Sequence, residues 1–476
     1  MELKGLTAVE VMYGLDAGDF SAVELARALI EQAEDQAHLN ALVNFDGDRF
    51  LSAARQSDEE RADGNIKGPL HGLPIVVKDN IDVAGCITTA STPALADHVA
   101  AKQGPVMDAI LNAGAIVMAK ANMHELAFTP GIIPPADGSP IQFGVHGNVL
   151  NPYDTSRSPA GSSSGTGAAI AARIAPAGLG SDTGGSVRNP SAWCGITGLR
   201  PSLKRYAQDL VVPISWTRDT IGPMARSVND LFLLDQVITG APAEPPLSLS
   251  GIRLAIDRDY YCTSVDPEIA AMFDEETKRL SDAGAEITDV SIEGLEEMIS
   301  AFGQAISMYE IVRALPDYLK ASGAKVGVAQ LLDGISASGL QDTLRKLLKP
   351  ETITEEAYQE SLELRKTLQA RHAACFADNN LDALILPATL IPPFPLADPG
   401  TYEYRGKEMP GLHGCHHNVQ PPTLCGTPGL TMATALNSDG LPLAIGLDGP
   451  AGGDRRLLAI GAAYEAIRPP VPSPFR

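Results

Sequence analysis

The chain has 476 residues, 44% of them hydrophobic and 20% charged, with 36 basic against 58 acidic side chains for a formal net charge of −22. This composition excludes an intrinsically disordered chain, and the negative charge disfavours nucleic acid and anionic lipid as partners. No apolar run reaches the roughly 18 residues that a membrane-spanning helix requires, and the most apolar stretch, Leu384-Ile385-Leu386-Pro387, is cut by proline.

The start, Met1-Glu2-Leu3-Lys4, lacks the charged, apolar and small-residue order of a signal peptide and reads as cytoplasmic. Residues 1–65 read as helices. Thr7 with Glu10 and Ser21 with Glu24 form capping-box patterns. After Ser21, the positions Val23, Leu25, Ala26, Leu29, Ile30 and Ala33 mark one helical face. From 68 to 240 the texture changes: the apolar runs 74–77, 115–118 and 174–179 alternate with glycine-rich loops and helical stretches, as in an α/β sheet with helical cover. Then follow a strand at 252–256, a helix at 267–283, a strand at 286–292 and a largely helical region to about 377. Buried strands are expected at 384–386 and 441–447, on either side of a Pro- and Gly-rich segment, 387–429. There is no linker and no repeat, so one α/β domain over 1–476 is the economical reading. The six cysteines (86, 194, 262, 375, 415 and 425) read as buried thiols rather than disulfides or metal ligands.

The most unusual composition lies between Ser158 and Arg188, where two Gly/Ser loops, 161–167 and 180–186, bracket an apolar helix-like stretch. Glycine lets backbone amides approach a ligand closely, and serine supplies hydroxyls. Gly161-Ser162-Ser163-Ser164-Gly165 matches the G-x-S-x-G nucleophile elbow, but the turn-forming, polar residues 151–159 stand where the required strand would precede it. No G-K-[ST] follows, so the segment is not a phosphate loop. Lys78 ends the apolar run 74–77, and a buried lysine whose pKa falls is a competent general base. His413-Gly414-Cys415-His416-His417 is the densest set of metal-type ligands, yet it lacks zinc-site spacing and reads as pocket lining or surface loop.

Together, 72–79, 161–167 and 180–188 strongly resemble the amidase signature family, as do 82–85, 194–201, 222–228 and 426–447. The segment 250–380 is the least family-like part, between a signature core at 68–240 and a C-terminal part of that core at 381–476. The resemblance implies a large mixed β-sheet sandwiched by helices. It also implies an amidase using a Ser-Ser-Lys triad, with no cofactor and no metal. Position by position, Ser186 matches the nucleophile, Ser162 the bridging serine held through a cis peptide bond to Gly161, and Lys78 the base. The backbone N–H groups of Thr183, Gly184, Gly185 and Ser186 would hold the oxyanion. Asp182 and Arg188 would support that loop, with Ser163 and Ser164 as hydrogen-bonding loop residues.

Within the family, Pro213-Ile214-Ser215-Trp216-Thr217-Arg218-Asp219-Thr220 looks more like the arylacetamide hydrolases than the glutaminase subunit of a transamidosome, which remains the alternative. The proline-rich loop at 129–147 brings Ile132, Ile133, Ile141 and Phe143 as walls of an apolar pocket, with Met123, Leu126, Tyr206 and Trp216 as further walls; the opposing reading is a surface excursion. His124 and Glu125 are placed for contact rather than catalysis. The expected partner is a small-molecule amide, with anilides and aryl carbamates open to the same chemistry. A homodimer is compatible with this reading.

Overall fold

The structure is a computed structural model and describes residues 2–128, 142–242, 245–337 and 339–475. Both capping boxes form. The Thr7 hydroxyl accepts from Glu10 N at 3.3 Å while Thr7 N donates to the Glu10 carboxylate at 2.8 Å, opening helix Ala8–Ala17. Ser21 and Glu24 open helix Ala22–Asp35 in the same way. That helix buries Leu25, Ala26, Leu29 and Ala33, with Val23 and Ile30 at the margin of the expected face.

The strands in chain order are β1 (Leu42–Val43), β2 (Pro74–Lys78), β3 (Ile116–Ala121), β4 (Ala177–Asp182), β5 (Thr197–Arg200), β6 (Thr220–Ala225), β7 (Arg253–Ile256), β8 (Glu286–Asp289), β9 (Ala383–Pro387), β10 (Thr401–Tyr404), β11 (Lys407–Pro410), β12 (Gly429–Leu436) and β13 (Pro442–Asp448). Eleven of them join one mixed sheet in the order β1-β3-β2-β4-β6-β5-β12-β13-β9-β7-β8; β10 and β11 form a separate hairpin. Helices cover the sheet, and Ser164–Ala171, buried along its whole length, packs on β2, β3 and β4.

The expected strands at 74–77, 252–256, 384–386 and 441–447 are β2, β7, β9 and β13. The runs at 115–118 and 174–179 start late, at Ile116 and Ala177, and the strand expected at 286–292 stops at Asp289. The helix expected at 267–283 is Pro267–Asp282, and helices continue to Asn379. The hairpin β10–β11 lies within the Pro- and Gly-rich segment 387–429. All six cysteines are free; five are buried and Cys262 is half-buried. No helix among the described residues is long and apolar enough to cross a membrane.

The site follows from the parallel core β3-β2-β4. Its register sets Val77 opposite both Lys120 and Leu179, so β2 and β3 end side by side and β4 runs on to Asp182. Ligands gather at the carboxyl ends of parallel strands, and here those ends carry Lys78, Asn122 and Asp182.

Candidate active site

Lys78 is the last residue of a strand buried at every position, and its side chain is 0% exposed. Its Nζ lies 2.7 Å from Ser162 Oγ and 2.9 Å from Ser181 Oγ. Burial disfavours the ammonium and lowers the lysine pKa to about 7, against the opposing pull of Asp182 and Asp219. Asn80 donates to the same Ser181 hydroxyl at 3.0 Å, so the second hydroxyl partner of the lysine is itself held in place. Neither was singled out in the sequence.

The Gly161–Ser162 peptide bond is cis. A side chain on Gly161 would run into the His124 ring. The two serine segments meet: Ser163 N donates to the Ser186 carbonyl at 3.2 Å. The second half of the first Gly/Ser loop is helical, because Ser164–Ala171 begins there, and the second loop starts as the end of β4. No strand leads directly into Ser163. Its hydroxyl is buried and engaged with Ser181, accepting from N and donating to O at 3.3 Å each. The Ser164 hydroxyl, expected to hydrogen-bond, is buried without a partner among the described residues.

Asp182 organises the turn between β4 and Ser186. Its carboxylate accepts from Gly185 N (2.9 Å), Val187 N (3.2 Å), Arg188 Nε (3.1 Å) and Arg200 Nη1 (3.0 Å). Burial alone would raise its pKa, but the two guanidinium groups and the loop amides hold it well below the usual carboxylate range. Gly185 takes φ +105°, and a Cβ there would strike the Val419 side chain. Because its N–H is committed to Asp182, Gly185 leaves the expected set of oxyanion donors. The N–H groups of Thr183, Gly184 and Ser186 meet no acceptor among the described residues.

The expected pocket walls separate into different environments. Tyr206 is a core residue that donates from its hydroxyl to Asp235 at 2.6 Å, so it lines no pocket. Met123 and Leu126 are sealed into a second apolar cluster with Ile311 and Leu315. Trp216 is 49% exposed and opens onto a cleft of about 770 Å³ bordered by Asp209, Arg313 and Tyr318, away from Lys78, Ser162 and Ser186. Phe143 stacks on His124 at 4.2 Å between ring centroids, and His124 N donates to the Ser162 carbonyl at 3.3 Å. Of the described pocket residues, Phe143 is therefore the one set beside the serine loop. Ile132, Ile133 and Ile141 lie outside the described residues. Glu125 is buried, accepting from Ser336 N, Ser336 Oγ and Ala337 N.

The histidine cluster is a clasp. His417 faces the Tyr404 hydroxyl at 2.9 Å and Glu296 at 3.1 Å, and it stacks on Tyr260 at 4.2 Å. His413 meets the Tyr402 hydroxyl, so the cluster fastens hairpin β10–β11 to helix Leu295–Phe302. Burial lowers His413 to about 4. The group is not an open surface loop: His413 and His417 serve the clasp, while half-buried His416 lies on the site side, within electrostatic reach of Asp182, Arg188 and His124.

The sequence pattern of the amidase family matches residues 24–458. Indoleacetamide hydrolase of Rhizobium radiobacter is 33% identical over 94% of this chain and 94% of its own. Mandelamide hydrolase of Pseudomonas putida is 36% identical over 95% of this chain and 89% of its own. The solved structure of native peptide amidase from Stenotrophomonas maltophilia is similar with a TM-score of 0.81 and 25% identity, covering 98% of each chain.

Proposed function

The chain belongs to the amidase signature family of amide-hydrolysing enzymes, and we propose that it cleaves small arylacetamide-type amides with Ser186 as nucleophile, Ser162 as proton bridge and Lys78 as base. The observation that carries this reading is the 2.7 Å contact between Lys78 Nζ and Ser162 Oγ. A lysine lowered to about 7 by burial is half neutral near physiological pH and accepts a proton. Ser186 Oγ attacks the carbonyl carbon as its proton passes to Ser162, whose own proton passes to Lys78. The carbonyl oxygen becomes an alkoxide facing the N–H groups of Thr183, Gly184 and Ser186. Collapse expels the amine, which takes the proton back along the same path, and water then cleaves the acyl-enzyme in the same way.

The aromatic stack of Phe143 on His124 beside Ser162 supports an aryl substrate, as does the Pro213–Thr220 text shared in appearance with arylacetamide hydrolases. Anilides and aryl carbamates offer the same carbonyl chemistry. The test is to assay the purified chain alone, without ATP, added metal or partner, on arylacetamides, anilides, aryl carbamates and glutamine. Turnover of arylacetamides above the rest is expected. Activity on glutamine alone, and only with partner proteins, would replace this reading with an amidotransferase subunit.

A further inference from the structure

In a trans peptide the C=O and the following N–H point in opposite directions, so holding the carbonyl fixes where the amide aims. The nucleophile loop is held in this way at five consecutive carbonyls. Asp182 O accepts from Arg200 Nη1 at 2.6 Å, Thr183 O from Arg218 Nε at 3.1 Å and Gly184 O from Gln420 Nε2 at 3.3 Å. Gly185 O accepts from Asn189 N at 2.8 Å and Ser186 O from Ser163 N at 3.2 Å. The Arg218 contact is the one that turns the Gly184 N–H, a candidate oxyanion donor.

Arg218 is a costly way to make that contact. It is 4% exposed, and its partners among the described residues are uncharged oxygens: Thr183 O, Gly303 O, Ser307 Oγ and Gln420 Oε1. Arg188 and Arg200, by contrast, share the Asp182 carboxylate. A buried cation without a directly bonded carboxylate is expensive, yet it leaves positive charge behind the loop. An added Cβ on Gly184 would stand 3.7 Å from Arg218 Nη2, so that charge sits against the loop itself. Gln420 accepts from Arg218 and donates to Gly184 O, bracing two adjacent peptides at once.

We propose that Arg218, braced by Gln420, is a positioning residue that aims the Gly184 N–H at the oxyanion and adds positive potential behind it. The inference rests on the reading of Ser186 as the nucleophile. A residue that merely ties helix Ala305–Ser322 to the sheet would affect stability alone, so transition-state binding separates the two roles.

The test compares the wild-type chain with Arg218→Ala, Arg218→Lys and Gln420→Ala. For each, kcat and KM are measured on the best amide, together with the affinity of an aryl trifluoromethyl ketone. That ketone adds to a serine hydroxyl and places an alkoxide where the oxyanion forms. For Arg218→Ala, kcat should fall about 10²-fold, the scale of a lost oxyanion donor. KM should stay within about twofold, as when an interaction is made only in the transition state. Ketone affinity should fall in step with kcat/KM, and millimolar guanidinium should partly restore Arg218→Ala but not Arg218→Lys. A folded Arg218→Ala protein with wild-type kcat, or with reduced kcat and unchanged ketone affinity, would overturn the inference. If Arg218→Ala does not fold, Gln420→Ala decides: a parallel, smaller loss of kcat and ketone affinity supports positioning, and no change in either rejects it. Labelling the wild-type chain with a fluorophosphonate keeps the two readings apart. Absence of label at Ser186 removes the nucleophile assignment, whereas labelled Ser186 with an unaffected Arg218→Ala removes only the positioning role.

Discussion

Lys78 Nζ and Ser162 Oγ stand 2.7 Å apart, and both side chains are closed off from solvent. At this distance an ammonium donates to the hydroxyl, and a neutral amine accepts from it, so the same geometry serves both halves of a proton relay. Protonation decides which half is available. Asp182 and Asp219 favour the ammonium, but burial outweighs them.

The first consequence is a pH profile. The active form has neutral Lys78, so kcat/KM should rise with pH through about 7 and level off above it. A rate that falls as pH rises through that range would require a protonated group in place of the neutral base.

The serines separate sharply. Ser162→Ala interrupts the proton path and should cost at least about 10²-fold in kcat. Ser163→Ala removes only the two hydroxyl contacts to Ser181 and should be far milder. Ser186→Ala and Lys78→Ala should each be severe, and their combination should cost little more than either, because the residues act as one unit. Steady-state kinetics on the four single variants and the double variant checks the order; a Ser163→Ala loss as large as that of Ser162→Ala contradicts it.

Gly161 and His124 should be energetically coupled. Gly161→Ala drives a methyl into the His124 ring and should destabilise by about 1–3 kcal/mol, the scale of overpacking. Adding His124→Ala opens the space and should recover part of that loss. Denaturant unfolding of the two single variants and the double variant measures the coupling; strictly additive losses would show that the ring is not the obstacle.

Substrate ranking should follow Phe143 and not Tyr206. Phe143→Ala removes the ring stacked on His124 and should change relative kcat/KM between bulky and small amides. Tyr206→Phe strips a hydrogen bond from Asp235 and should cost about 1–3 kcal/mol of stability with the ranking intact. Competition assays on mixed amides, with melting curves, test both.

The contrast between these two aromatics shows where residue-level reading stopped. Tyr206 was read as a pocket wall, but the direction of its side chain is set by Asp235 on a helix further along the chain. Lys78 drew attention as the end of an apolar strand, and Ser162 and Ser186 through the resemblance of their Gly/Ser segments to the amidase signature family. The roles of Arg218 and Gln420 were not legible, since they act on Thr183 and Gly184 across large sequence separations. Strands divided in the same way. Unbroken apolar runs revealed β2, β9 and β13, while β6 carries Pro223 opposite Leu179, a residue type that argues against a central strand.

The assignment of Ser186 is tested most directly by covalent labelling followed across pH. The purified chain is treated with a fluorophosphonate at a series of pH values and the modified residue is located by peptide mass. The label should fall on Ser186, at a rate that rises through about pH 7 and collapses in Lys78→Ala. Label on Ser163, or labelling of Ser186 that is indifferent both to pH and to Lys78, would contradict a lysine-driven serine nucleophile.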